Sequence, residues 1–340
     1  MLRKLKRILP VLLLASSLSA STNFDLQRLA DGVYAVIVKP GSSAGSNGAV
    51  IITKDEVLVV DTHYRPSFAR ELIGEIAKLT PNPVRYVANT HWHNDHTQGN
   101  EAYFNAFPKG VELLSHVNTR RDIVDKAIPN MREDLATTTP NAIKQLEERL
   151  ASNTDPALKP RLEASLGDRK AYLAELKSIE ISLPTLTFDH SMILHKGGRE
   201  IRLLYFGRGH TEGDVVVFLP KEKILITGDL LTSGIPFFRD GHPAEWTATL
   251  KGVSHLEFDT AVPGHGPVQT GKSQMGRLIA YLDDLVTGVR KMANEGKSFD
   301  EVKATLDLSK HKDGLAGFTG TLGNELAVKR TYDEAKGLVP

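Results

Sequence analysis

The run His91-Trp-His-Asn-Asp-His96 holds four metal-ligating side chains in six positions. His91 and His93 stand two apart, so on an extended segment both imidazoles point to the same side and one ion is gripped by both. Asp95 and His96 are adjacent, which would put them on opposite sides of a strand; a turn there brings both to a second ion beside the first. Gly99 follows closely and lets the backbone pass near such a site. Three further candidates lie far along the chain, each just after a segment that reads as a strand. They are His210 in Gly207-Arg-Gly-His-Thr, Asp229 in Thr227-Gly-Asp, and His265 in Pro263-Gly-His-Gly. A glycine beside each suits a tight turn that presents one side chain at a strand end, where binding groups gather on a rigid scaffold.

Cysteine is absent. No disulfide framework and no thiolate ligand is available, so a metal site must be built from imidazole and carboxylate. Five histidines and two aspartates make seven ligands, the number that suits two four- to five-coordinate zinc ions sharing a carboxylate and a water. His91, His93 and His210 are expected on one ion and Asp95, His96 and His265 on the other, with Asp229 bridging them. Zinc, two ions per chain, is the expected cofactor. Asp95 also takes a catalytic role, orienting the hydroxide and handling its proton. Of the other histidines, His63, His116, His190, His195, His255 and His311 lack a ligand-like context and read as structural or surface residues. His242, in Phe237-Phe-Arg-Asp-Gly-His, is the candidate for facing the substrate.

The elements that must position these residues are legible in outline. Residues 32–39 and 49–53 read as strands joined by the glycine- and serine-rich loop 41–48. Val57 to Val60 is a buried strand ending at Asp61, and 67–79 is helical with Phe68, Leu72, Ile76 and Leu79 on one face. Val84 to Asn89 is a strand that runs straight into the histidine cluster, and Val111 to Ser115 is another. Strands resume at 191–194, 200–206, 214–219, 223–227 and around 260–262. The stretch from about 118 to 180 differs in kind, being polar and helical. Thr139-Pro140 looks like a helix start there, and Gly167 weakens a second helix. It reads as an inserted helical pair, either a structural cap or a lid. C-terminal helices occupy about 272–337, the first with Met275, Leu278, Leu282, Leu285 and Val289 on one face. Val57–Asp61 and Ile224–Asp229 faintly echo each other, each a buried strand ending on an aspartate.

Bulk properties set the remaining bounds. With 340 residues, 41% hydrophobic and 24% charged, the chain is an ordinary globular protein with a sizeable core. Residues 1–20 have the three parts of a secretory signal peptide: Arg3, Lys4, Lys6 and Arg7, then the apolar run Ile8–Leu18, then small residues. That run is too short for a membrane span of about 20 residues. Without those four basic residues the formal charge moves from +1 to −3. No basic stripe suggests nucleic-acid binding. The expectation is an exported protein, periplasmic or secreted, with no stable membrane insertion after cleavage and a small-molecule substrate.

The HxHxDH run at 91–96, followed in order by His210, Asp229 and His265, resembles the metallo-β-lactamase superfamily over roughly residues 30–270. The resemblance implies an α/β fold, a four-layer αββα sandwich with the site at one edge of the two sheets and, here, a helical insertion. It also implies that Asp61 props the ligand loop rather than binding metal. The function expected is an exported dinuclear zinc hydrolase that uses a metal-bridging hydroxide to cleave an amide, ester, lactone or thioester bond. β-Lactam hydrolysis is one alternative, although Asp229 stands where some members carry cysteine. A mononuclear-iron oxidoreductase resembling persulfide dioxygenases is another; flavodiiron-type redox chemistry is disfavoured because His93 stands where those proteins carry glutamate.

Overall fold

The computed structural model describes residues 21–315 and 321–339. The expected signal peptide at 1–20 lies outside the described residues. Seven strands form one sheet in chain order: β1 (Phe24–Ala30), β2 (Val33–Val38), β3 (Gly48–Ile52), β4 (Val57–Val60), β5 (Val84–Ala88), β6 (Glu112–His116) and β7 (Leu186–Phe188). β1 to β4 pair antiparallel, and β4 to β7 pair parallel. The second sheet runs in the order β13-β12-β11-β10-β9-β8, from β8 (Ser191–Lys196), β9 (Arg199–Tyr205), β10 (Val215–Leu219), β11 (Ile224–Thr232), β12 (Thr260–His265) and β13 (Gln269–Thr270). In it only β11 and β12 are parallel neighbours.

Side-chain alternation builds the layers. Val33, Ala35, Ile37, Leu58 and Val60 point inward and meet Leu203, Val215, Val217 and Ile226 of the other sheet. Val36, Val50, Val57 and Val59 point the opposite way and pack on Phe68, Leu72 and Ile76 of the helix Pro66–Leu79. On the far side, Val216, Phe218 and Leu225 meet Trp246 and Leu250 of the helix Pro243–Ser254 and Leu278, Leu282 and Leu285 of the helix Ser273–Asn294. The period-2 strands and the apolar stripes of the helices thus give an αββα sandwich.

The parallel strands decide where the site lies. β4, β5 and β6 all deliver their C-terminal ends to one edge, and so do β11 and β12 of the facing sheet. In sheets of this kind ligands gather beyond the carboxyl ends of the strands. β4 and β11 occupy matching places, each carrying an aspartate at that edge and each with a parallel neighbour.

The insert starts from the same edge, because β6 ends at His116 and the chain turns directly into helix. One continuous helix covers 117–151, and a second spans Lys159–Leu176. Thr139 is therefore not the helix start expected from sequence. The first helix passes through Pro129 and Pro140 by widening into π turns at Ile123–Ala127 and Asp134–Thr138. Each π turn ends shortly before a proline, which lacks an N–H and would clash with the carbonyl four residues back in regular α-helix. The second helix passes through Gly167 without interruption. Among the described residues no helix is long and apolar enough to cross a membrane.

Candidate metal centre

Local folding brings the cluster together as a turn. β5 stops at Ala88, the chain bends through Thr90, His91 and Trp92, His93 is extended, and Asn94–Thr97 forms a single helical turn that swings Asp95 and His96 to the same side. The loop is pinned through the His96 carbonyl, which accepts bonds from the Thr62 N–H at 3.0 Å and the Asn89 side chain at 3.0 Å. His210 arrives on the loop between β9 and β10. Asp229 and His265, expected just past strand ends, lie within the last residues of β11 and β12, where the ladder slips register around Gly228. Gly228 has φ +51°, and a Cβ there would meet Thr90 Oγ1 at 2.3 Å, so glycine is required for β11 to approach the histidine loop.

Two sets of donor atoms converge. His91 Nε2 and His210 Nε2 lie 3.1 and 2.9 Å from His93 Nδ1. Beside them, Asp95 Oδ2 lies 3.6 Å from His96 Nε2 and 3.3 Å from His265 Nε2. Asp229 stands between the sets: Oδ2 is 3.4 Å from His210 Nε2 and 3.2 Å from His265 Nε2, and Oδ1 is 3.4 Å from His96 Nε2. The trios His91–His93–His210, His91–His96–Asp229 and Asp95–His96–His265 each bring their ligand atoms within 4.8 Å of one another.

These residues suit a divalent metal. His96 Nε2 and Asp229 Oδ1 are buried without a hydrogen-bond partner although they face each other. Burial, reinforced by the neighbouring imidazoles, holds His91 well below the usual histidine range, and burial takes His210 down to about 3. Their rings are thus kept neutral, each with one nitrogen free of a proton to face the cluster. His265 moves the opposite way, raised to about 10 by Asp229 against a smaller effect of burial, while Asp229, which burial alone would raise, is held well below the carboxylate range by His265 and His96 together. Charge of both signs is concentrated where cations would sit.

Outer groups orient the rings. Asp61 Oδ2 accepts from His96 Nδ1 at 2.8 Å and from Thr90 Oγ1 at 2.8 Å, while Oδ1 accepts from the Thr90 N–H at 2.8 Å. Thr90 Oγ1 lies 3.0 Å from His91 Nδ1. Asp240 Oδ2 lies 3.1 Å from His93 Nε2. Asp240 was not singled out by sequence, and the only signal for it is its place in the loop shared with His242. Asn47 was missed as well. It ties the β2–β3 hairpin to the His265 loop, donating from Nδ2 to the carbonyls of Pro263 at 2.9 Å and Gly266 at 2.7 Å.

A cleft of about 250 Å³ opens over the cluster. His93, Asp95, Asp229 and His265 line its floor, Asn130 of the insert one wall, and Phe237 and Arg239 of the loop after β11 another. The insert grips the site from behind: Ile123 and Ala127 pack on Trp92, the residue between His91 and His93. His242 does not face the substrate as expected. It is 1% exposed, does not line the cleft, and its N–H donates to the Gly209 carbonyl at 2.7 Å, bracing the His210 loop. His63 and His116 are buried structural residues, the latter stacked on Tyr205 with centroids 3.9 Å apart.

Fold and site together define an αββα protein with a His/Asp metal-binding cluster at the sheet edge. The sequence model of the metallo-beta-lactamase superfamily matches residues 44–118 and 135–265, more than half of the chain. This protein belongs to that superfamily, whose members are mostly hydrolytic enzymes. The unmatched stretch 119–134 is the part of the insert that carries Asn130, Ile123 and Ala127. Among curated relatives, a linear primary-alkylsulfatase from a Pseudomonas species is 22% identical over 79% of this chain and 51% of its own. This chain therefore spans about half the length of that relative. A metallo-beta-lactamase type 2 from Bacillus cereus is 25% identical over 72% of this chain and 74% of its own. Among solved structures, a metallo-beta-lactamase from Pontibacter korlensis superposes with a TM-score of 0.55 at 19% identity, covering 76% of this chain and 99% of that one.

Proposed function

We propose that this chain is an exported dinuclear zinc hydrolase that cleaves an ester, lactone, thioester or amide bond of a small molecule. The observation that carries this reading is the place of Asp229, with one oxygen facing His96 and the other facing His210 and His265. A carboxylate so placed serves two ions: one on His91, His93 and His210, the other on Asp95, His96 and His265. Zinc held there would supply a water acidified towards neutral pH and a Lewis acid for the scissile bond.

The chain's own residues do the rest. Asp61, Thr90 and Asp240 hold His96, His91 and His93 so that the opposite ring nitrogens face inward. Asp95 turns Oδ2 to His96 and His265 and has its other oxygen to receive the proton that water loses as its oxygen bonds to the carbonyl carbon. That proton passes to the leaving atom as its bond to the carbon breaks. No side chain forms a covalent intermediate.

Sulfate-ester hydrolysis is the second reading, favoured by the alkylsulfatase relative. β-Lactam hydrolysis, suggested by the relatives' names, is a side activity in this account. Export is supported by the basic, apolar and small-residue order of residues 1–20. Fractionation of cells with mass determination of the mature N-terminus tests it; an intact Met1 in the cytoplasm would refute it. The function is tested by screening purified protein with added zinc on lactones, thioesters, esters, sulfate esters and lactams. Zinc-dependent turnover that EDTA abolishes is expected, and oxygen uptake on a single bound iron would overturn it.

A further inference from the structure

On the other side of Asp95 from the cleft, with Asp95 lining both, lies a second hollow of about 400 Å³. The loop between β2 and β3 supplies Ser42, Ser43 and Gly45, the helix Lys159–Leu176 supplies Asp168 and Arg169, and Tyr64 and Arg65 complete it. Gly45 fixes its position. With φ +88°, a Cβ there would lie 2.6 Å from the Asp95 Cβ, so a group held in this hollow lies against the metal cluster.

Of the charged side chains lining the hollow, Arg169 is the one in no ion pair among the described residues. Arg65 has a side chain only 5% exposed and pairs with Asp168 Oδ1 at 2.5 Å, while its Nε is buried without a hydrogen-bond partner. That pair uses the Asp168 carboxylate. Asp95 is turned to His96 and His265. Arg169 is half-buried with its guanidinium 5.9 Å from the Tyr172 ring, and it forms no salt bridge among the described residues. Tyr172 stacks in turn on Tyr64 at 4.6 Å. Asp134 lies within electrostatic reach of Arg169 and Arg239 but pairs with neither. Outside the metal cluster, then, Arg65 is paired with Asp168 while Arg169 has the Asp134 carboxylate within electrostatic reach but no ion pair, in a partly buried setting where a charge interacts several times more strongly than in water. On the opposite, His265 side, a third hollow of about 350 Å³ is walled by Ile235, Pro236 and the 43% exposed Phe237.

We propose that the substrate carries an oxyanionic group (carboxylate, sulfate or phosphate) remote from the scissile bond, held by Arg169 and Ser43, while an apolar portion lies on Ile235 and Phe237. Turnover of such a substrate rests on the hydrolase reading above; binding of the oxyanion does not. Arg169 is a specificity residue in this account: planar and multidentate towards oxyanions, and braced by an aromatic stack rather than by a counter-ion.

The test uses the zinc-loaded full chain. Calorimetric titration with succinate, inorganic sulfate and inorganic phosphate compares the wild type with Arg169→Ala and Arg169→Lys, and the preferred anion identifies the group. At least one anion is expected to bind the wild type about fivefold or more tighter than Arg169→Ala, with Arg169→Lys between them and the gap narrowing in high salt. Equal affinities of wild type and Arg169→Ala for all three anions would overturn the proposal. In turnover, a matched ester pair differing only in a terminal carboxylate is compared. The kcat/KM of Arg169→Ala should fall about tenfold more on the anionic ester than on the neutral one. Equal falls would also overturn it. If the wild type cleaves neither ester nor any other substrate offered, the hydrolase reading fails and the titration still decides the subsite. Thermal melts of both variants separate misfolding from lost recognition.

Discussion

Asp61 Oδ2 and His96 Nδ1 are 2.8 Å apart, and both side chains are buried to within 1% of full exclusion from solvent. Asp61 holds this position in the left-handed region at φ +59°, where aspartate and asparagine are tolerated far better than bulky residues. The bond fixes the His96 ring with Nε2 towards Asp95 and Asp229. The same carboxylate takes the Thr90 N–H and hydroxyl, so one residue sets the pose of both the ring and the loop that carries His91.

Asp61→Asn keeps the size and the backbone preference but places an amide donor where only acceptors fit. Metal affinity and turnover should each fall by about 10- to 100-fold with the fold retained. Zinc content and rate matching the wild type would show that Asp61 does not orient the site.

Gly264 packs directly under Asp229. A Cβ at this position would lie 1.9 Å from Asp229 Oδ1 and 2.8 Å from the Gly228 carbonyl carbon. Gly264→Ala must push Asp229 out of place, at about 1–3 kcal/mol in stability and with loss of metal. Gly276→Ala is the control: nothing lies within 4 Å of its added Cβ on the helix Ser273–Asn294, and alanine there should raise stability by up to about 1 kcal/mol. Urea midpoints and zinc content of the two variants check this, and similar behaviour of both would contradict it.

His63 supplies a pH dependence from outside the ligand set, although His96 and Asp95 lie within electrostatic reach of it. Burial lowers it from 6.5 to about 4, partly offset by its bond to the Ser46 carbonyl at 2.9 Å. Between those values the unfolded chain takes up a proton that the folded chain refuses. This contribution to stability is therefore full above pH 6.5 and is lost as pH falls towards 4, by about 3 kcal/mol in all. His63→Asn, which tolerates the native φ of +66°, should show a shallower loss over that window. Unfolding curves measured without metal at pH 7, 5.5 and 4 decide it; parallel decline of the two proteins would remove His63 from the account.

The contrast between local and distant signals explains what was legible in the sequence. HWHNDH is readable because the strand before it and the turn within it are local. The strands with alternating or continuous apolar residues, such as 57–60 and 215–219, were readable for the same reason. β1 was missed because it is an edge strand whose apolar alternation lasts only from Phe24 to Gln27 and breaks where the pairing with β2 shifts register between Arg28 and Ala30. β7 has only three residues. Asp240 and Asn47 act through contacts 147 and 216 residues away along the chain, and nothing in their neighbourhoods announces the partner. Pro140 reads as a helix start by every local rule; only the π turn before it lets the helix run through. His242 has the sequence context of a cleft residue, and tertiary packing buries it instead.

The central claim is a two-metal site joined by Asp229. Elemental analysis of the purified protein, with Asp229→Ala alongside, tests it most directly. The account predicts about two zinc ions per wild-type chain, and about one in Asp229→Ala with a folded circular-dichroism spectrum and sharply reduced turnover. A single iron in the wild type, or two zinc ions retained by Asp229→Ala at full activity, would contradict it.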